Sequence, residues 1–187
     1  MKTIEKSFVG IYEVKKSKFI AHLVPIGEYK GLQDKLRAEH PKARHVVYAL
    51  RYLNEFDQIV ENFSDDEEPK GAAGVPSLNV LRGEELINVA LLTVRYFGGT
   101  KLGIGGMARA YASAVKEVVS VADIIKYEKE YVYQFETSYS NVQRAEYLLK
   151  KLEIEQVERK FLGDKVAWKI KTTEEKLEEF KALLAKS

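Results

Sequence analysis

The sequence predicts an α+β protein of two domains, 1–128 and 129–187. Three observations carry that reading. The first domain alternates β-rich runs with helical patterns around one almost wholly apolar strand, Asn88–Phe97. A charged stretch, Lys126–Glu130, then interrupts the pattern like a hinge. Beyond it the pattern reads strand, helix, strand, strand, helix, the order of a compact split-βαβ module.

Taken along the chain, Phe8–Val14 and Lys18–Val24 are strands, joined as a hairpin across Lys15, Lys16 and Ser17. Tyr29, Leu32 and Leu36 recur at helical spacing in Gly27–His40, and Pro41 stops that helix. Ala43–Leu53 is β-rich, and Gln58–Phe63 is placed to pair with it. The segment Ser64–Pro76 is too broken by proline and glycine for a strand or a long helix and is read as a loop. Asn88–Phe97 has the composition of a strand covered on both faces. It leads into a glycine loop, Gly98–Gly106, and then a helix, Met107–Ala122, with Met107, Tyr111, Ala114, Val115, Val118 and Ala122 on one stripe. The alanines at 108, 110, 112 and 114 let that helix approach a sheet closely. In the second domain the strands are Tyr131–Thr137, Glu153–Phe161 and Lys165–Thr172, and the helices Asn141–Leu152 and Thr173–Lys186. Thr172 or Thr173 is the N-cap of the last helix, with Glu174 and Glu175 in its first turn.

Composition narrows the function classes. At 45% hydrophobic and 31% charged, the 187-residue chain has ample apolar surface to offset the entropy of ordering, which excludes a disordered or collagen-like protein. It has no cysteine, so disulfides, thiolate metal sites and cysteine nucleophiles are excluded. The net charge is +2, and each domain on its own stays close to neutral, so a basic patch must arise by local clustering. The N-terminal residues lack the apolar core of a secretory signal and no run approaches the 18 apolar residues of a membrane span, so a cytoplasmic protein without a membrane partner is expected.

The glycine loop is the most unusual feature: Gly98, Gly99, Gly103, Gly105 and Gly106 fall between a buried-type strand and a helix start. Such a loop presents free backbone N–H groups to an anion. Lys101 within it, and Arg95 and Arg109 beside it, add positive charge. A phosphate-binding Gly-x-x-x-x-Gly-Lys-Ser/Thr loop is not met, because Ile104 and Gly105 follow Gly103. A dinucleotide fingerprint, Gly103-x-Gly105-x-x-Ala108 with Asp123, is opposed by the intervening Gly98–Leu102 loop and by Asp123 lying at the helix end. Gly98–Gly106 also has a purely structural reading, as turns with positive φ and close helix packing.

A second basic segment holds Lys42, Arg44, His45 and Arg51 with Tyr48 and Tyr52 interleaved. Cations beside aromatics suit RNA, whose phosphates are neutralised while bases stack. The acidic run Asp65–Glu68, bent by Pro69, Gly71 and Gly74, could ligate Mg²⁺ or supply an acid–base pair, although solvated charge is the commoner role of such a run. His22 and His40 show no metal-ligand spacing, and a lone His45 in a strand is more often structural.

Two long stretches, Ser64–Pro76 and Val94–Tyr111, resemble the IMPACT family, which includes the bacterial YigZ-type proteins, and the family outline covers essentially the whole chain. The block around Arg44, His45 and Tyr48 resembles the one that precedes the family's acidic loop. That resemblance implies a ribosomal-protein-like first domain, similar to domain IV of elongation factor G, and a ferredoxin-like second domain, similar to domain V. Eukaryotic relatives act in translational control through an added protein-binding domain that competes for the activator of an amino-acid-starvation kinase. The length here leaves no room for such a domain, so that competition is not expected. The family's acidic loop usually reads Ser-Asp-Asp-Gly-Glu-Pro-Ser-Gly-Thr-Ala-Gly. Here Glu67 stands for its glycine, Lys70 for its serine and Ala72 for its threonine, which removes two hydroxyls.

The expected role is an RNA- or ribosome-binding factor linked to regulation of translation, without cofactor or metal and without sequence-specific DNA recognition. Its anion surface would comprise Arg44, His45, Arg51, Arg95, Lys101, Arg109 and the Gly98–Gly106 amides, with Asp65, Asp66, Gly71 and Gly74 as a second candidate loop. Two alternatives stay open: a phosphometabolite enzyme or binder sharing Mg²⁺ between the two loops, and a protein-interaction module in translational control.

Overall fold

The computed structural model describes residues 1–186. They form two compact units, one of Met1–Tyr127 and one beginning at Glu128.

The first unit is built on a five-stranded antiparallel sheet in the order β2-β3-β6-β4-β5. Its strands are β2 (Phe8–Val14), β3 (Ser17–Pro25), β4 (His45–Leu53), β5 (Ile59–Ser64) and β6 (Val89–Tyr96). A two-residue pair, β1 (Lys2–Thr3) with β7 (Ile125–Lys126), ties the ends of the unit together. The apolar run expected to be covered on both faces is the central strand β6, buried along all but its last residue. Side chains alternate across it. Val89 and Leu91 join Phe19, Leu23, Val47 and Ala49 in one core, under α2 (Gly74–Gly83) and α3 (Gly103–Val121). Ala90, Leu92 and Val94 enter a second core on the opposite face, covered by Leu36 of α1 (Leu32–Glu39).

The α3 stripe is buried through Met107, Tyr111, Ala114, Val115 and Val118, and the Tyr111 ring meets Phe19 edge-on at 5.0 Å. The small side chains of Ala110 and Ala114 lie against the core, whereas Ala108 and Ala112 are half-exposed. Gly10 of β2 is pressed on the same helix: a Cβ there would lie 2.5 Å from the Val118 backbone nitrogen.

Three helices of the first unit differ from the sequence reading. The helix α2 occupies residues left without structure, because Gly74 and Pro76 look like breakers. Both fall in the first turn, where proline costs no internal hydrogen bond. The helix α3 begins at Gly103, so Gly103–Gly106 form its first turn instead of a loop ahead of it. The helix α1 starts at Leu32, after a single 3₁₀ turn at Ile26–Glu28.

The second unit runs β8 (Glu130–Ser138), α4 (Val142–Lys151), β9 (Gln156–Leu162), β10 (Lys165–Thr173) and α5 (Glu174–Ala185), with sheet order β8-β10-β9. Val166, Trp168 and Ile170 of β10 pack with Leu148, Leu149, Leu177 and Phe180 of the two helices. The Trp168 indole N–H is satisfied by Thr137 Oγ1 at 2.9 Å, and its ring stacks on Phe135. Glu153 adopts φ +53°, which ends α4 and delays β9 to Gln156. Among the described residues no helix is long and apolar enough to cross a membrane.

The contact at Gly10 makes a direct prediction. Gly10→Ala forces α3 off the sheet and costs about 3 kcal/mol. Gly27→Ala, where nothing lies within 4 Å, stays within about 0.5 kcal/mol of the parent. Urea denaturation of both variants checks this, and equal midpoints would contradict it.

Candidate functional site

Antiparallel pairing brings three chain segments to one end of the first sheet. Across the sheet His45, at the start of β4, lies opposite Arg95 near the end of β6. At the same end Ser64, which closes β5, pairs with Tyr48. The acidic loop after β5 and the glycine segment after β6 therefore emerge side by side with the basic segment ahead of β4.

The acidic loop folds inward. Asp66 and Glu67 take φ values of +45° and +68°, a left-handed turn that throws the next side chain, Glu68, under the sheet end. Glu67 holds the position where the family pattern has glycine, the residue that adopts this conformation without strain. The buried Glu68 carboxylate accepts two hydrogen bonds from Arg95 Nη1, at 2.6 and 2.8 Å, and one from the Tyr111 hydroxyl at 2.8 Å. Burial, reinforced by the adjacent Glu68 charge, drives the Tyr111 hydroxyl far above its ordinary pKa, so it remains a donor. Phe19 and Phe97 flank the Arg95 guanidinium, with ring centroids at 5.6 and 5.9 Å. His45 Nε2 stands 3.9 Å from Glu68, while its Nδ1 bonds the Asp66 carbonyl at 2.7 Å.

Asp65 and Asp66 are also committed, whereas Glu67 is exposed. Asp66 accepts from Arg37 Nη2 at 2.5 Å and from the Val46 amide at 2.6 Å. Asp65 takes the amides of Gly71, Ala73 and Gly74 at 2.8 to 3.1 Å, serving the N-terminus of α2 where the N-cap residue Ala73 has no side-chain oxygen. Among the described residues no cluster of His, Asp or Glu could hold a metal ion. Asp65, Asp66 and Glu68, the carboxylates that a Mg²⁺ shared between the two loops would need, are engaged with backbone amides, Arg37 and Arg95, which argues against that alternative.

The glycines divide by role. Gly98 is pressed on the β2–β3 turn, where a Cβ would come within 2.0 Å of the Lys16 carbonyl carbon, and its N–H is taken by Ser17 Oγ at 3.1 Å. Gly99 and Gly103 have open surroundings but φ of +86° and +71°. Gly105 and Gly106 sit in the first turn of α3, whose N-cap Leu102 has no side-chain hydrogen bond to offer.

Above Glu68 and Arg95 opens a pocket of about 630 Å³, lined by Lys42, Arg44, His45, Pro69, Arg95, Tyr96 and Phe97, by Lys101 and Leu102 ahead of α3, and by Gly103, Ile104 and Met107 of that helix. Of the residues expected to form an anion surface, it gathers Arg44, His45, Arg95, Lys101 and Gly103. Arg95 stands in the wall, only 7% exposed and already paired, so it is no free cation. Arg51 lies elsewhere: six residues along β4, about 20 Å away, it bonds Glu61 and the Leu86 carbonyl. Arg109 is exposed on α3 outside the pocket lining. Sequence reasoning missed Glu68 and Tyr111 as the anchor of the site. The acidic run did not say which carboxylate turns inward, and Tyr111 fits the apolar stripe as well as phenylalanine would.

Fold and site together define an α+β protein whose first unit ends its sheet in a cation-rimmed, aromatic pocket at a helix N-terminus. Comparison with known proteins carries this to a family. Residues 15–119 match the Impact N-terminal domain, more than half of the chain, and the chain belongs to the IMPACT family. It is 35% identical over 150 residues to an IMPACT family member of Haemophilus influenzae, covering 76% of this chain and 71% of that one. With IMPACT family member YigZ of Escherichia coli it shares 39% over 114 residues, 58% of this chain and 55% of the relative, so that match spans about half of YigZ. A crystal structure of a hypothetical protein superposes with TM-score 0.69 at 29% identity, over 98% of this chain and 90% of the other.

Removing the anchor should be costly. Glu68→Ala leaves Arg95 buried without its counter-charge and is expected to destabilise the first unit by about 3–5 kcal/mol. Denaturant unfolding of the variant measures this, and a loss below about 1 kcal/mol would contradict an anchoring role.

Proposed function

We propose that this protein binds RNA, on the ribosome or free, through the pocket face of its first unit, and acts in the regulation of translation. One observation carries the reading: the cations Lys42, Arg44 and Lys101 converge on a pocket with the exposed ring of Phe97, and among the described residues none of the three has a carboxylate partner. Arg51, Arg82, Arg159 and Lys171 are paired with acids, and Arg109 and Lys116, which among the described residues are not, lie outside the pocket lining. Free positive charge beside an exposed aromatic suits phosphates and stacked bases. The charge is local, so the near-neutral total does not oppose it.

Fold likeness supports the translational setting as an analogy only. The order β8-β10-β9, with α4 and α5 packed on one face, fits a ferredoxin-like module without its last strand. The family resemblance implies a ferredoxin-like second domain similar to domain V of elongation factor G, with the first unit similar to domain IV; the three-stranded sheet departs from the full pattern by one strand. The cytoplasm, where RNA and ribosomes lie, is the compartment this reading requires.

Filter binding to ribosomal or transfer RNA across a salt series tests the proposal. Arg44→Ala and Lys101→Ala should each weaken binding and reduce the log–log salt slope by about one. No binding at low salt would overturn it.

A further inference from the structure

The pocket is narrower in purpose than a general RNA surface. We propose that it seats the terminal phosphate of an RNA chain, a phosphate monoester on a nucleotide whose base lies against Phe97. The inference deepens the RNA reading of the same site and rests on it.

Charge is the first argument. Lys42, Arg44 and Lys101 present three unpaired cations to one cavity. A phosphodiester inside a chain offers one negative charge, whereas a monoester carries about −1.5 to −2 near neutral pH and matches them better. Arg95 adds a second, independent sign of a ligand. It lies in the pocket wall, 7% exposed, and its Nε has no hydrogen-bond partner although Nη1 is held by Glu68. Buried donors in native proteins are normally satisfied. Nε itself is sealed from solvent, so an anion in the pocket acts on it through the charge of the guanidinium and not through a hydrogen bond to that atom.

Gly105 is the third argument. Its φ is not positive, and a Cβ would meet only the far end of Arg109, at 3.5 Å. Neither turn geometry nor crowding requires glycine, and alanine is the better helix former. With Gly103 and Gly106 it leaves the first-turn amides of α3 bare of side-chain cover, and no side-chain cap competes for them. Oxygens of an anion approach such amides directly.

Shape completes the case. A cavity of about 630 Å³ falls in the range of roughly 300–1,000 Å³ that encloses one small ligand. Phe97 and Ile104, 58% and 64% exposed, give a nucleotide base an apolar face at the mouth. One nucleotide fits these dimensions, and a chain end enters without having to leave again.

Calorimetric titration decides the matter, using one short single-stranded RNA prepared with hydroxyls at both ends, with a 5′-phosphate, or with a 3′-phosphate. One phosphorylated form should bind at least about tenfold more tightly than the hydroxyl form, and which one it is identifies the end that enters. Gly105→Ala should abolish that preference while its Tm stays equal to the parent's or rises. Three RNAs bound within about twofold of one another, or a preference surviving in Gly105→Ala, would overturn the terminal-phosphate inference and leave RNA binding standing. No binding of any of the three would overturn both.

Discussion

A buried ion pair organises the working end of the first unit. Glu68 and Arg95 are each almost wholly removed from water, at a desolvation cost that their mutual attraction repays only if the geometry is good and other polar atoms are satisfied. Here the carboxylate receives three hydrogen bonds, from Arg95 and Tyr111, and so fastens the acidic loop to β6 and to α3 at once. Everything above that point inherits its position from it. The left-handed turn at Asp66 and Glu67 delivers Glu68, and Asp66 in turn holds Arg37, the Val46 amide and His45. The acidic loop thus serves as a clamp beneath the site, with Asp65, Asp66 and Glu68 engaged by the protein's own groups.

With Asp65, Asp66 and Glu68 spent internally and Glu67 alone left exposed, the three cations at the mouth outnumber the free acid of the loop. The uncapped N-terminus of α3 adds its partial positive charge in the same direction. An exposed aromatic ring and a string of small residues complete a surface that is poor in self-interaction, as the proposed RNA ligand requires. The overall charge of +2 conceals this, being an average over an inward acidic cluster and an outward basic one.

Much of the fold is legible in the chain. The apolar run Val89–Tyr96 and the α3 stripe report the sheet and its covering helix because both are periodic signals of burial. The order of elements after Glu130 is equally plain. The helix α2 is hidden because glycine and proline, which break helices inside, are tolerated at their starts. In the site, the basic and glycine-rich segments point to the correct sheet end, and their convergence follows from antiparallel pairing that no local pattern reveals. Arg95 and Arg44 look alike in sequence. Only the pleat of β6, which turns Arg95 toward α3, separates a buried partner of Glu68 from a free cation.

The central claim is that the ligand enters at this sheet end and nowhere else. Backbone amide shift mapping by NMR, on titrating a short RNA into the full chain, tests it directly. Shifts concentrated at residues 42–45 and 96–107 are expected, with the second unit unmoved. Shifts centred on the second unit, or on the Arg51 end of the sheet, would contradict it.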